Sequence, residues 1–128
     1  MKLLRATMLA VILVLASAGA SQAQYVMDLG ELIYSITIGD FGDDIEKLDC
    51  ANNVYVERVS RLSGIRISGD TLDRAIDRRW RTLFHLQAHI RQVPAAMKAL
   101  KRHHATVDQV IWMTATNDGS ASLYIDDR

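Results

Sequence analysis

Apolar residues between positions 70 and 92 recur at helical spacing. With Leu83 as origin and about 100° per residue, Leu72, Ile76, Trp80, Leu86 and Ile90 fall within roughly 60° of it. Arg74, Arg78, Arg81, His85 and His89 fall on the opposite side, so the pattern predicts one long amphipathic helix with a basic outer face. Asp70 is placed to cap its N-terminus. Pro94 suits the first turn of a shorter second helix over residues 94–104, where a missing N–H costs nothing. Ala96, Met97 and Leu100 would form its inner side.

Strand patterns lie on either side of these helices. Residues 110–116 and 120–125 are two strand-like runs around Asn117-Asp118-Gly119. Asp-Gly predicts a two-residue type I′ turn, because both central positions of that turn need positive φ. The resulting register sets Trp112 opposite Ile125, Met113 opposite Tyr124 and Thr114 opposite Leu123. It also gathers Trp112, Leu123 and Ile125 on one face, against the long helix. Residues 54–59 read as a further strand opened by Asn52-Asn53, and Ile65-Arg66-Ile67 as a brief extended segment. In residues 25–53 two periods compete. Leu29, Leu32, Ile33 and Ile36 keep helical spacing, whereas residues 33–38 alternate and are rich in strand formers. The reading adopted is a helix ending near Gly39, a Gly/Asp loop through Gly42 and a helical turn over residues 45–48.

These elements predict an α+β fold. A small antiparallel sheet, one strand plus a C-terminal β-hairpin, is packed on one face by the long helix and the shorter one, and its other face is left to solvent.

The first 23 residues read as an address rather than as part of that fold. Lys2 and Arg5 make a positive start, residues 8–16 an apolar run, and residues 17–23 a small-residue stretch with Ser21-x-Ala23 at the cleavage position. This is the pattern of a secretory signal peptide. Its apolar core of roughly nine residues is far short of the roughly 20 that a spanning helix needs. The expected product is residues 24–128, a single small domain that is periplasmic or secreted and, once cleaved, not an integral membrane protein.

Composition narrows the function classes. With 49% hydrophobic and 23% charged residues, one Pro and one Cys, the chain is neither collagen-like nor a disulfide scaffold. A lone cysteine forms no internal bridge, even in an oxidising compartment. Asp49 beside Cys50 disfavours a thiolate, so Cys50 is expected to be a small buried hydrophobe. Catalytic signatures are missing: there is no G-x-S-x-G, no Gly-rich phosphate cradle and no histidine near Cys50 in sequence. The chain therefore reads as non-enzymatic, with no cofactor.

Two metal readings stay in view. His85 and His89 stand four apart on the long helix, with His103 and His104 at the end of the next, a set that would suit zinc or copper. Against it stand the surrounding cations and the lack of a glutamate between the pair. The acidic residues Asp40, Asp43, Asp44 and Glu46 lack the alternate spacing and terminal glutamate of a calcium loop.

Charge distribution is the most informative feature. Lys+Arg and Asp+Glu balance at 15 each. Residues 28–49, however, hold seven acids against Lys47 alone, and residues 74–104 hold eight bases against Asp77 alone, with all four histidines. Either the two segments neutralise each other, or the basic face meets an anionic partner. The expectation is an exported binding domain whose contact face is Arg74, Arg78, Arg81, His85 and His89. Its partner would be a protein or the anionic cell-envelope surface, not nucleic acid, with oligomeric state left open. A periplasmic metal-binding protein using the histidines is the alternative.

Overall fold

A computed structural model describes residues 25–64 and 69–128. The leader and the segment Ile65-Arg66-Ile67 lie outside these residues. Helix α1 (Leu29–Ile38) opens on a reciprocal cap. The Glu31 N–H donates to the Asp28 carboxylate at 2.8 Å, and the Asp28 N–H is turned to the Glu31 carboxylate. Two otherwise unpaired donors of the first turn are thereby satisfied. The helix stops at Gly39, as expected from the sequence, and a short helix α2 (Asp44–Asp49) follows the loop. Strand β1 (Asn53–Arg58) comes next, followed by a 3-10 turn at Val59–Arg61. Then come α3 (Gly69–Arg78), α4 (Trp80–Ile90) and α5 (Pro94–Arg102), a second 3-10 turn at Val107–Gln109, and the hairpin β2 (Val110–Ala115) and β3 (Ser120–Ile125).

The class is α+β, with a small sheet of one strand plus the C-terminal hairpin. The order is β1-β3-β2, and the sheet is mixed rather than wholly antiparallel: β1 runs parallel to β3, with Asn53 beside Ser120 and Arg58 beside Ile125. The cause is local. The N–H groups of Asn52 and Asn53 both donate to the Gly119 carbonyl, at 2.8 and 3.1 Å, which fixes the starts of β1 and β3 at the same end.

The hairpin differs from the expected one by a single residue. Gly119 (φ +88°) alone takes positive φ in the turn, and the Thr116 N–H bonds the Ser120 carbonyl at 2.9 Å, so the loop has three residues, Asn117, Asp118 and Gly119. This matches a turn closed by one left-handed residue instead of the two that type I′ requires. Trp112 consequently pairs with Tyr124, Met113 with Leu123 and Thr114 with Ser122, and the register shifts again between Val110 and Trp112. A one-residue slip exchanges the faces of a strand. Trp112 therefore lies on the opposite side of the sheet from Leu123 and Ile125.

Both faces of the sheet are covered, where the sequence suggested one. On the first, Met113, Ala121, Leu123, Ile125 and Val54 pack with Leu48 of α2, Leu86 and Ile90 of α4, and Ala96, Ala99 and Leu100 of α5. On the second, Trp112 and Tyr124 pack with Leu32 and Ile36 of α1, Leu72 and Ala75 of α3, and Leu83. The Met27 N–H donates to the buried Tyr124 hydroxyl at 3.0 Å, tying the chain before α1 to the central strand. Helix α1, half of that second layer, comes from the segment whose period was ambiguous.

The expected single long helix is two helices, broken at Arg79 (φ −116°, ψ 20°). Its first helix begins at Gly69, so Asp70 sits in the first turn rather than capping it. The Arg79 guanidinium bonds the carbonyls of Thr37 at 3.1 Å and Gly39 at 2.7 Å. A cation there satisfies carbonyls at the negative end of α1, whose own last turn carries none. The break also resets the helical phase, so Leu83, Leu86 and Ile90 carry the buried stripe of α4. Trp80, expected in the core, is 58% exposed.

Candidate basic and aromatic surface

The five residues singled out by the sequence occupy three settings. Arg74 and Arg78 of α3 line a shallow depression of about 180 Å³ against Ile33 and Thr37 of α1. On α4, the Arg81 guanidinium lies over the Trp80 ring, 5.3 Å from its centre, and the His85 ring meets Phe84 edge-on at 6.1 Å. His89 is turned away from them, its Nε2 2.7 Å from an Asp49 carboxylate oxygen at the end of α2.

Mutual neutralisation of the acidic and basic segments is therefore slight. Among the described residues, Asp49 with His89 is the one ion pair joining residues 28–49 to residues 74–104. Lys47 serves Asp43 and Asp44 within its own helix, at 3.9 and 4.0 Å. Burial holds the Asp44 carboxyl above its ordinary value, against the pull of Lys47. The ion pairs of the described residues leave out Arg74, Arg78, Arg81 and His85.

The histidines do not gather. His85 faces Phe84, His89 faces Asp49, and His103 and His104 end α5, where Arg58 donates to the His103 carbonyl. Among the described residues no group of three or more His, Cys, Asp or Glu side chains is placed to hold a metal ion. Cys50 is exposed at the end of α2 rather than buried as expected. It follows the last helical residue, and its N–H is taken up by the Lys47 carbonyl at 3.2 Å.

Sequence reasoning missed the exposed aromatic pair. Trp80 and Phe84 stand one turn apart on α4, each 58% exposed. Both border a groove of about 380 Å³ whose apolar floor includes Leu83 and Ile111. Asp108 and Asp126 at its rim are engaged by Arg91 at 2.7 Å and Arg128 at 2.8 Å. A signal was present: Phe84 lies about 100° from Leu83, on the flank of the apolar stripe, and Trp80 stands between Arg79 and Arg81. Aromatics at such a position border solvent.

Among the described residues no helix is long and apolar enough to cross a membrane. Comparison with protein-family models, curated proteins and solved structures finds no match.

Proposed function

We propose that the protein is a small exported, non-enzymatic binding domain. Its contact surface is the arginine-bearing side of α3 and α4, comprising Arg74, Arg78 and Arg81 with His85, while His89 is held by Asp49 at its edge, and its partner is an anionic surface. One observation carries this reading: three arginines project from adjoining helices outside the ion pairs of the described residues. Surface charges left so produce an outward field that attracts anionic partners. The leader pattern of residues 1–23 supports export.

The test is retention on dextran sulfate, a soluble anionic polymer immobilised on beads, at low and high salt. Exposed charges act over about 8–10 Å at physiological ionic strength, so retention should fall steeply as salt rises. Arg74→Glu with Arg78→Glu and Arg81→Glu should abolish it while leaving the melting temperature unchanged, because all three side chains lie outside the two cores. Absence of retention by the parent chain, or retention unaltered in the triple variant, refutes the reading. A lowered melting temperature would assign the arginines to the fold instead.

A further inference from the structure

The geometry of α4 points to a more specific partner: the headgroup layer of an anionic phospholipid bilayer, with Trp80 and Phe84 seated in it and Arg78 and Arg81 on the lipid phosphates. This inference rests on the contact surface proposed above and names what it meets. Two large rings stand one helical turn apart, each more than half exposed. Neither is needed by the two cores, which close without them. Arg81 lies over the Trp80 ring, and Arg78 ends the preceding helix just before the break. Of the five arginines from Arg74 to Arg91, Arg79 is held by the carbonyls of Thr37 and Gly39 and Arg91 by Asp108, which leaves Arg74, Arg78 and Arg81 against the single acid Asp77. The nearby carboxylates Asp108 and Asp126 are already engaged by Arg91 and Arg128.

This combination favours a layer with both anionic and apolar parts, as a phospholipid headgroup layer has, over a partner that is anionic alone. A purely polar anionic partner would pair the arginines but leave both rings in water. The lipid interface takes both at once, because Trp sits with its apolar body among the upper acyl carbons and its N–H among headgroups. Binding of a helix in the plane of the interface scales with its buried apolar area plus the attraction of its cations to anionic lipid. A basic side chain near such a surface contributes about a further fivefold in affinity. Helix α4 is about 16 Å long, which suits docking on the surface and not crossing it.

Trp80 and Trp112 are the two tryptophans of the chain, one exposed and one buried, so fluorescence separates them. The full chain is mixed with vesicles of phosphatidylglycerol and phosphatidylcholine and with vesicles of phosphatidylcholine alone, each with and without bromine on the acyl chains. Parent and variants share the same leader, and the quenching lost in Trp80→Phe, which keeps the buried Trp112, reads the surroundings of residue 80. The expected result is quenching on the anionic vesicles, its absence on phosphatidylcholine, and its loss in Trp80→Phe, which retains Trp112. Phe84→Ser should raise the lipid concentration for half-maximal quenching by roughly tenfold. Arg78→Glu with Arg81→Glu should remove the quenching. Emission unaffected by brominated lipid, or a half-maximal concentration unchanged in Phe84→Ser, overturns the inference. Retention on dextran sulfate without quenching by lipid overturns this inference and leaves the contact surface standing; failure of both overturns both.

Discussion

Replacing Trp112 by Ala should be among the most costly changes to this fold. The side chain is 3% exposed on the face of the sheet covered by α1 and α3. Phe41 lies on it at 4.4 Å between ring centres, and a Cβ at Gly39 would come within 3.1 Å of its Cζ2. A buried Trp removes up to about 250 Å² from water, worth about 6 kcal/mol at 25 cal/mol per Å². Alanine recovers part of that area, and partial collapse of the pocket recovers more, leaving a loss of about 3–5 kcal/mol. Set against a total of about 5–15 kcal/mol for a small domain, this is about a third to a half of the stability at the middle of that range. Urea denaturation followed by far-ultraviolet circular dichroism measures it without depending on the residue removed. In a companion variant, Trp80→Phe, the remaining Trp112 should emit at short wavelength and shift to long wavelength on unfolding. A loss below about 1 kcal/mol, or water-like emission from native Trp80→Phe, would show that Trp112 is not the centre of this core.

Two further outcomes are expected. Gly39→Ala should cost roughly 1–3 kcal/mol, because the added Cβ would fall 2.4 Å from the Ser35 carbonyl oxygen, a backbone atom of α1 that cannot swing aside. A melting temperature equal to that of the parent would refute this. The second outcome concerns Glu57→Gln. Burial raises the Glu57 carboxyl above its ordinary value, against the opposing charge of His103. A carboxylate with a raised folded-state pKa destabilises the fold at neutral pH, and the penalty disappears once the group is protonated in both states. Glu57→Gln should therefore melt above the parent at pH 7 and together with it near pH 3; the opposite order, or a constant difference across that range, contradicts the stated cause.

The elements were more legible in the sequence than their partners. Helix α1, helix α2, strand β1 and helix α5 all stand close to where spacing and turn residues place them. The faces were harder to read. The runs from Val110 to Met113 and from Leu123 to Ile125 are apolar without alternation, so neither register of the hairpin could be rejected by its hydrophobic pattern. The same continuity is what a strand buried on both sides shows, and it was the available sign of a second helical layer. Likewise, the direction of β1 depends on Asn52 and Asn53 meeting Gly119, a contact spanning 67 positions in the chain that no local pattern encodes. The break at Arg79 was hidden because a run of good helix formers continues through it, and the bonds of Arg79 are to carbonyls of a different helix. At the candidate surface, charge was legible from composition, whereas exposure of Trp80 followed from that break.

The placing of β3 at the centre of the sheet bears on the order in which the molecule can assemble. Among the described residues each outer strand bonds only to β3, which follows both of them in the chain. Until β3 has been made, β1 lacks its partner strand and Trp112 lacks Tyr124 beside it. Contacts between distant parts of a chain are slow to form, because the intervening loop must first be closed. Strand β1 therefore waits, while three helices and β2 are made, for the one strand that joins the sheet together.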